Sequence, residues 1–320
     1  MAHADSSPSA LIVTGPTASG KSALAAMLAR ELGGVIINAD AMQLYRELRV
    51  LTARPTVAEE ARLPHRLYGV KTATEPASAA WWREAALGAM AEAWAMRRFP
   101  ILCGGSGLYL TSLVEGLSPI PEPSPPARAE ARLLLGELGP QQLHARLAAV
   151  DPVTAARLRP SDSQRLARAW EVFRSSGRGL AAWQAERGEA PGARFSLILL
   201  LPERAALRAA IARRFDGMVA DGALEEARAL HALDPALPAM RAHGMPELRA
   251  FLAGRITLDE AKARAVAATT RYAKRQVTWL RHHRLADPAR TRTIRAHIPG
   301  SAQFLQSSLP ELVPFIRVAG

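Results

Sequence analysis

The segment GPTASGKS (residues 15–22) constrains the fold of this chain most, because it matches the phosphate-binding pattern G-x-x-x-x-G-K-[ST] in full. It follows the apolar run LIVTG (residues 11–15), which is typical of a buried parallel strand. It precedes residues 22–32, which are rich in alanine and leucine and favour a helix. In that setting the backbone N–H groups of the loop and the positive end of the helix converge on an anion. The sequence therefore predicts a phosphate-binding loop, the P-loop.

The residue types within the P-loop suit this role. Gly15 and Gly20 permit the tight turn, Lys21 supplies a point charge, and the hydroxyl of Ser22 is a ligand for Mg²⁺. We predict phosphate contacts from the whole loop: Gly15, Pro16, Thr17, Ala18, Ser19, Gly20, Lys21 and Ser22. The motif is typical of nucleotide binding, but it leaves open whether the phosphates belong to ATP, GTP or a diphosphate ester.

Further strand-like runs alternate with helical segments along the chain. The runs are VIINAD (residues 35–40), FPILCGG (residues 99–105) and FSLILLLP (residues 195–202), and residues 79–98 favour a helix. This alternation is typical of a parallel sheet with helices on both faces. The sequence thus predicts an α/β fold with a P-loop NTPase-like parallel sheet, a helical insertion domain and a helical C-terminal part.

The alternation is interrupted in the middle of the chain. SPIPEPSPPAR (residues 118–128) carries five prolines and is predicted to be a linker without regular structure. Residues 129–187 are helical in composition and contain no convincing strand. We therefore predict that residues 1–122 and 193–320 form a catalytic core with basic C-terminal helices. Residues 123–192 are predicted to form an inserted helical domain.

The chain carries a net charge of +12, and most of the excess lies in one segment. Between residues 262 and 297, ten basic residues stand against a single acid, Asp287. Charge that only served solubility would be scattered. The pattern therefore favours a nucleic acid partner over general solubility.

Other features of the sequence indicate where in the cell the protein is located. No apolar run reaches the roughly 18 residues that span a bilayer, so we expect no membrane partner. The first ten residues carry no apolar signal segment, and the single cysteine, Cys103, permits no internal disulfide. These features predict a cytoplasmic protein.

Asp40 closes the predicted strand VIINAD. In an open α/β sheet the carboxyl ends of the strands border the ligand crevice, so Asp40 is placed to act as a general base or to bind Mg²⁺ through water. The alternative is that Asp40 caps a helix that begins at Ala41. Position alone leaves both roles open.

The segment CGGSGLYL (residues 103–110) ends another apolar run with glycines. Its glycines permit close approach of the backbone to a ligand, and Ser106 offers a hydroxyl near the phosphates. The alternative is a tight connection without ligand contact. No aspartate follows the apolar run, so this strand supplies no Walker B acid, which disfavours a plain ATPase.

Residues 269–284, TTRYAKRQVTWLRHHR, are predicted to form a helix with an apolar and a basic face. Spacing of three and four residues assigns to the inward face Val266, Thr270, Ala273, Val277 and Leu280. The basic residues lie off that stripe: Arg271, Lys274, Arg275, Arg281 and Arg284. Such a face suits an RNA phosphate backbone, or it is a solvated surface.

Six motifs in this order resemble the tRNA dimethylallyltransferase family. Besides GPTASGKS they are DAMQLYRELRVLTARP (residues 40–55), GGSGLY (104–109), SDSQRLARAWEVFRSSG (161–177), HGMPE (243–247) and TRYAKRQVTWLR (270–281). The resemblance covers most of the chain. It implies the transfer of a dimethylallyl group from dimethylallyl diphosphate to the exocyclic N6 amine of the adenine 3′-adjacent to the anticodon, in tRNAs that read UNN codons.

The resemblance also implies roles for individual residues. Asp40 would hydrogen-bond the amine and act as general base, and Ser106 and Arg214 would lie near the diphosphate as catalytic residues. Thr17 belongs to the part of the P-loop that the family uses for the substrate. Mg²⁺ on Ser22 would be the cofactor. The inserted domain would grip the anticodon stem-loop of tRNA, and we expect a monomer.

The tRNA contacts that the resemblance implies lie in several segments. They are Asp40, Ala41, Met42 and Gln43; Ser106; Arg128; Gln164, Arg165, Leu166, Ala167 and Arg168; Arg241, Ala242, His243, Gly244, Met245 and Pro246; and Lys274, Arg275, Gln276, Val277, Thr278, Trp279, Leu280 and Arg281.

The chain departs from the family pattern at several of these positions. Ala41 stands where the family has serine, and Arg54 stands where it has lysine. Within HGMPE, His243, Met245 and Pro246 replace isoleucine, tyrosine and lysine. We expect contacts with RNA to differ from the family pattern there.

Two other functions fit part of the sequence. A P-loop small-molecule kinase that uses ATP explains the P-loop and Asp40, but not the basic helix or the insertion. A nucleic-acid-binding protein that switches on nucleotide explains the charge, but the expected Walker B acid is missing. Both need a nucleoside triphosphate, whereas the transferase needs none.

Overall fold

The computed structural model of the chain describes residues 7–186, 188–296, 298 and 302–319, and of residues 302–308, 318 and 319 it describes the backbone alone. In this part of the chain, six strands form one sheet: β1 (Ser9–Thr14), β2 (Gly34–Asn38), β3 (His65–Arg66), β4 (Phe99–Gly104), β5 (Arg194–Leu200) and β6 (Thr291–Ile294). Their order is β3-β2-β4-β1-β5-β6, and each adjacent pair is parallel. The predicted α/β fold with a parallel sheet is confirmed.

In the described chain, thirteen α-helices lie between and after the strands, joined by turns, loops and short 3₁₀ helices. In chain order they are α1 (Lys21–Leu32), α2 (Val57–Arg62), α3 (Ala79–Ala95), α4 (Gly107–Glu115), α5 (Pro125–Val150), α6 (Pro152–Ala155), α7 (Ser163–Ser176), α8 (Leu180–Gln184), α9 (Arg204–Ala220), α10 (Ala223–Ala229), α11 (Met245–Leu252), α12 (Leu258–His282) and α13 (Ala302–Ala319). Within the described ranges, no helix combines the length and the apolar character needed to cross a membrane.

Helices cover both faces of the sheet, and successive side chains of β1 point alternately into two apolar clusters. Ala10 and Ile12 pack into one cluster, together with residues of α3 and α4. Leu11 and Val13 pack into the other, together with residues of α1 and α13. All four side chains are fully buried. The P-loop therefore follows a strand that is fixed from both sides.

The segment after β2 is held against the C-terminal helices. Tyr45, Leu48 and Leu51 are buried in a third apolar cluster with residues of α9, α10, α11 and α12. The carboxylate of Glu226 on α10 accepts hydrogen bonds from the N–H groups of Val50 and Leu51, at 2.7 and 2.9 Å. Packing and these two bonds fix the backbone that leads into residues 52 and 53.

The chain divides into two compact units. The first, Met1–Val114 with Gly192–Gly320, contains the sheet, and the second is Glu115–Pro191. Helices α5 to α8 lie in the second unit, whose described residues include no strand. Leu134, Leu143, Leu147, Leu166 and Trp170 form part of its separate core.

Helix α5 begins earlier than the proline-rich sequence predicts. The expected linker runs from residue 118 to residue 128, whereas α5 begins at Pro125, with the hydroxyl of Ser124 accepting a hydrogen bond from the N–H of Ala127 at 3.4 Å. The first positions of a helix have no intrahelical acceptor for their N–H groups, so prolines are tolerated there. The linker prediction is therefore wrong for residues 125–128.

Candidate active site

The P-loop turns sharply between β1 and α1, and its two glycines have no room for a side chain. A Cβ on Gly15 would lie 2.8 Å from the carbonyl oxygen of Leu200, and one on Gly20 would lie 2.4 Å from that of Ile298. Gly20 also adopts a φ of 92°, and Ala18 a φ of 62°. Packing and backbone conformation therefore both require glycine at position 20.

The P-loop lines a cleft of about 400 Å³, which we call the catalytic cleft. Asp40 and Arg214 reach it from the end of β2 and from α9. Its described lining is Thr17, Ala18, Ser19, Gly20, Lys21, Ser22, Ala23, Asp40, Gln43, Thr52, Ala53, Ala210, Arg213, Arg214 and Ile298. The structure thus brings together three features that are far apart in the sequence: the P-loop, a carboxylate and a guanidinium group.

The charges of Lys21, Asp40 and Arg214 interact across the catalytic cleft. Burial lowers the pKa of Lys21 below that of an exposed lysine, and the negative charge of Asp40 opposes this shift. Burial also lowers the pKa of Arg214, again opposed by Asp40, although a guanidinium group stays cationic in proteins. Nη2 of Arg214 donates a hydrogen bond to Oγ1 of Thr17 at 2.6 Å. Two cations beside one carboxylate suit a multiply charged anion.

Asp40 lies in a tight turn that its own neighbours hold. Oδ1 of Asn38 accepts from the N–H of Asp40 at 2.8 Å, and Nδ2 of Asn38 donates to the carbonyl oxygens of Asp40 and Leu67, each at 3.0 Å. Oδ1 of Asp40 accepts from the N–H of Met42 at 3.0 Å. The helix expected to begin at Ala41 is a three-residue 3₁₀ helix, Met42–Leu44, whose N-cap is Ala41, so the prediction that Asp40 caps it is wrong. The carboxylate instead stabilises the turn at residues 40–42 and borders the catalytic cleft.

Ser106 follows β4 by two residues and supports this turn. Its Oγ accepts a hydrogen bond from the N–H of Ala41 at 2.9 Å, and its own N–H donates to the carbonyl oxygen of Ala39 at 3.2 Å. A Cβ on Gly104 would lie 2.1 Å from that same carbonyl oxygen, so glycine permits the close contact. Ser106 lies outside the described lining of the catalytic cleft. In this structure its hydroxyl positions the backbone beside Asp40.

Gln276 on α12 joins the P-loop to the glycine-rich turn after β4. Its Oε1 accepts from the N–H of Thr17 at 2.8 Å, and its Nε2 donates to the carbonyl oxygen of Gly105 at 3.0 Å. A Cβ on Gly105 would lie 2.4 Å from Nε2. Only 6% of Gln276 is exposed. This side chain, expected to contact tRNA, instead holds the backbone of the catalytic cleft.

Helix α12 has the predicted two faces, but its buried stripe differs from the predicted one. The buried residues are Ala261, Ala265, Thr269, Ala273, Gln276 and Leu280, while Val266, Thr270 and Val277 are partly exposed. The prediction placed only apolar residues and Thr270 inward. The polar side chains of Thr269 and Gln276 can be buried because their hydrogen-bonding groups have partners: the Thr269 hydroxyl donates to the carbonyl oxygen of Ala265, and the Gln276 amide bonds to loop backbones. The basic residues are exposed, as expected: Arg271, Lys274, Arg275, Arg281 and Arg284.

The aromatic residues of α12 pack against the protein. The ring of Trp279 packs closely over Gly107, since a Cβ on that glycine would lie 2.6 Å from ring atoms. The same ring stacks on His283, with ring centroids 4.1 Å apart. Tyr272 packs against His243, with ring centroids 4.5 Å apart. Burial lowers the pKa of His243, so this ring is neutral to a lower pH than an exposed histidine.

The other residues that the resemblance assigns to tRNA include buried, partly exposed and exposed ones. The partly exposed residues are Ala41, Met42, Gln43, Arg128, Ala167 and Arg168. Leu166, Ala242, Gly244 and Met245 are buried, because each helical or turn segment puts some of its side chains inward. The exposed residues are Gln164, Arg165, Arg241, Pro246 and Thr278. Arg128, Arg165 and Arg168 form ion pairs with Glu122, Asp162 and Glu171 within the inserted unit. Buried side chains cannot contact RNA in this conformation.

Several residues of the site were not predicted from the sequence. Asn38 precedes Asp40 by two residues, and an amide at the end of the apolar run VIINAD was a usable signal. Its side chain is fully buried in the structure. Arg213 lies beside Arg214 in the sequence, and both line the catalytic cleft. Thr52 and Ala53 lie within the motif at residues 40–55 but were not assigned a role, and nothing in the sequence pointed to Ile298. The position of all three in the cleft depends on how distant segments pack.

Comparisons with known proteins agree with this arrangement. A family model described as IPP transferase matches residues 43–283, and one described as isopentenyl transferase matches residues 8–74. A tRNA dimethylallyltransferase of Acidiphilium cryptum is 58% identical over 97% of this chain and 95% of its own length. One of Granulibacter bethesdensis is 57% identical over 96% of this chain and 98% of its own length.

A solved structure agrees as well. The tRNA isopentenylpyrophosphate transferase of Bacillus halodurans is similar with a TM-score of 0.67 and 29% identity, over 97% of both chains. The matches cover nearly the whole chain, including the P-loop, the inserted unit and α12. This chain therefore belongs to the tRNA dimethylallyltransferase family.

Proposed function

We propose that this chain transfers a dimethylallyl group from dimethylallyl diphosphate to the N6 amine of the adenine 3′-adjacent to the anticodon, in tRNAs that read UNN codons, and releases diphosphate. The observation that carries the proposal is that the P-loop, Asp40 and Arg214 border one cleft. An anion-binding loop beside a carboxylate is what a reaction needs when a diphosphate leaves and an amine loses a proton. The tRNA dimethylallyltransferases that resemble the chain support the same assignment.

The reaction forms one bond and breaks one. The lone pair of N6 attacks C1 of the dimethylallyl group, and the bond from C1 to the diphosphate oxygen breaks, so that oxygen carries the electron pair away. The N6 proton passes to the carboxylate of Asp40. The amine is a weak nucleophile because its lone pair is delocalised into the adenine ring, so positioning and proton removal both lower the barrier. The base must leave its stack to reach the catalytic cleft.

Negative charge accumulates on the diphosphate as it leaves, and the chain supplies fixed cations for it. Lys21 and Arg214 lie in the lining of the catalytic cleft, and the N–H groups at the start of α1 point to the same region. Thr17, held by Arg214 and Gln276, belongs to this anion site. These groups stabilise the departing diphosphate more than the intact substrate.

A magnesium ion fits this site as a partner of the diphosphate. Ser22 is one of the residues that line the catalytic cleft, and no cluster of three or more His, Cys, Asp or Glu side chains suited to a metal occurs among the described residues. Mg²⁺ is often held by few protein ligands together with phosphate oxygens and water. Bound by Ser22 and the diphosphate, it would neutralise charge on the leaving group.

The transferase and the kinase hypotheses differ in the need for ATP. With dimethylallyl diphosphate, unmodified tRNA and Mg²⁺, diphosphate should be released without any nucleotide. ATP alone, or with small-molecule acceptors, should not be consumed. Consumption of ATP together with an absence of diphosphate release from dimethylallyl diphosphate would contradict the proposal.

The remaining assignments are proposals that rest on the same function. We propose that the inserted unit grips the anticodon stem-loop, which nuclease protection of that stem-loop tests. We also propose that the enzyme is a cytoplasmic monomer. Sedimentation at the mass of a dimer, or fractionation with membranes, would contradict this.

Replacing Gln276 by leucine is expected to weaken diphosphate binding. The change keeps the approximate volume but leaves the N–H of Thr17 and the carbonyl of Gly105 without their partners. An unsatisfied buried polar group costs about 1–3 kcal/mol, so we expect Gln276→Leu to lower both the melting temperature and the affinity for inorganic pyrophosphate.

The control for this prediction is Gln142→Leu, the same change at an exposed position of α5. Thermal melting with and without pyrophosphate, in the absence of RNA, measures both effects. If both variants respond to pyrophosphate as the wild type does, Gln276 does not position the P-loop.

A further inference from the structure

A second cleft, of about 460 Å³, lies between the N-terminal half of α9 and the C-terminal half of α12. It shares no described lining residue with the catalytic cleft. Leu201, Leu207 and Val277 contribute apolar surface to it. Five cations surround this surface: Arg204, Arg208, Lys274, Arg281 and Arg295. We call this cleft the α9–α12 groove.

The five cations are exposed and lack acidic partners. Every one of the five is an exposed residue, and none takes part in an ion pair within the described part of the chain. Some arginines elsewhere are paired, as Arg49 and Arg54 are with Glu60. Glu203 is the single acid in the described lining of the groove. Like charges held this close repel one another, and a polyanion in the groove relieves that repulsion.

The lining favours an extended polyanion over a free nucleotide. It contains no glycine among its described residues, so it lacks a glycine-rich loop like the one with which the P-loop wraps a phosphate. The charges instead sit on long side chains around an apolar surface. Phosphates of a nucleic acid strand suit such side chains, and the apolar surface suits a ribose or base face.

The position of the groove connects it with the catalytic cleft. Arg208 in the groove and Arg214 in the catalytic cleft lie on the same helix, α9. They are six residues apart in the sequence, which is about 9 Å along a helix. Helix α12 likewise presents Lys274 to the groove and Gln276 to the P-loop. One RNA molecule can therefore occupy the groove while its target base reaches Asp40.

We propose that the α9–α12 groove binds backbone phosphates of the tRNA substrate, beside the nucleotide that enters the catalytic cleft. This inference rests on the proposed function. It assigns RNA contacts to Arg204, Arg208 and Arg295, which lie outside the segments to which the family resemblance assigns tRNA contacts. The groove contributes affinity and orientation, and the catalytic cleft performs the chemistry.

The test compares two double variants with the same change of charge. Arg204→Gln with Arg208→Gln removes two cations from the groove. Arg97→Gln with Arg98→Gln removes two exposed arginines just before β4, at the amino end of that strand and away from the carboxyl ends of the strands. Binding of labelled unmodified tRNA is measured by fluorescence anisotropy between roughly 50 and 200 mM salt. Pyrophosphate binding without RNA checks that each variant is folded.

The groove variant should bind tRNA about tenfold more weakly, and the slope of log affinity against log salt should shrink by about 1.4–1.8, for two lost phosphate contacts. The control should match the wild type in both. Equal effects of the two double variants, or an unchanged salt slope in the groove variant, would overturn the inference. If the two double variants differ in tRNA binding as predicted, but the wild type transfers no dimethylallyl group, the proposed function is contradicted and the groove inference is not.

Discussion

Replacing Asp40 by asparagine is expected to lower kcat for dimethylallyl transfer by about 10²–10⁴, the usual contribution of a general base. Asparagine has nearly the same shape, and its Oδ1 can still accept the hydrogen bond from the N–H of Met42. The turn beside the P-loop should therefore survive, while the proton acceptor for N6 is lost. Single-turnover kinetics with saturating tRNA and dimethylallyl diphosphate measure the effect.

Asp234→Asn is the matched control for this prediction. Oδ1 of Asp234 accepts from the N–H of Ala236 at 2.8 Å, the same local bond that Asp40 makes with Met42, but Asp234 is exposed and outside the catalytic cleft. We expect wild-type kcat from Asp234→Asn and wild-type tRNA affinity from both variants. If Asp40→Asn keeps more than about a tenth of the wild-type kcat, general base catalysis by Asp40 is wrong.

Replacing Lys21 by alanine is expected to weaken pyrophosphate binding by about ten- to a hundredfold, since a buried hydrogen bond to a charged group contributes about 1.5–3 kcal/mol. The value of kcat should fall further, by about 10²–10³, because the charge on the leaving diphosphate is largest in the transition state. Calorimetry with inorganic pyrophosphate, in the absence of RNA, separates the binding effect from the chemical one.

The control is Lys262→Ala, which removes a lysine that is paired with Asp216 at the surface. Pyrophosphate affinity should not change in that variant. The wild type should also lose pyrophosphate affinity as the pH rises, since the charged form of Lys21 is the one that binds. Because burial lowers the pKa of Lys21 from 10.5, this loss should begin at a lower pH than for an exposed lysine, and Lys21→Ala should not show it.

The central strands could be predicted from sequence because they are buried on both faces. β1, β2, β4 and β5 are continuous apolar runs, and each lies within two residues of the predicted position. The edge strands could not be predicted. β3 has only two residues, and β6 reads TRTI, whose charge and partial exposure resemble a loop. Edge strands lack the burial that produces an apolar run.

The phosphate site could also be predicted, because the P-loop is contiguous in the sequence and its chemistry is local. The role of Gln276 could not. It lies 259 residues from Thr17, and its spacing on α12 fits either face of the helix. Only the packing of α12 against the P-loop shows that both ends of its amide are used. Long-range hydrogen bonds of this kind leave no periodic signal in one sequence.

The most direct test of the account follows the transferred group itself. Wild-type protein is given labelled dimethylallyl diphosphate, Mg²⁺ and unmodified tRNA that reads a UNN codon, without ATP, and the tRNA is then digested and its nucleosides are separated. We expect label in a single adenosine, on N6, next to the anticodon on its 3′ side, and almost none with Asp40→Asn. Label at another nucleotide, or none in RNA while ATP is consumed, would contradict it.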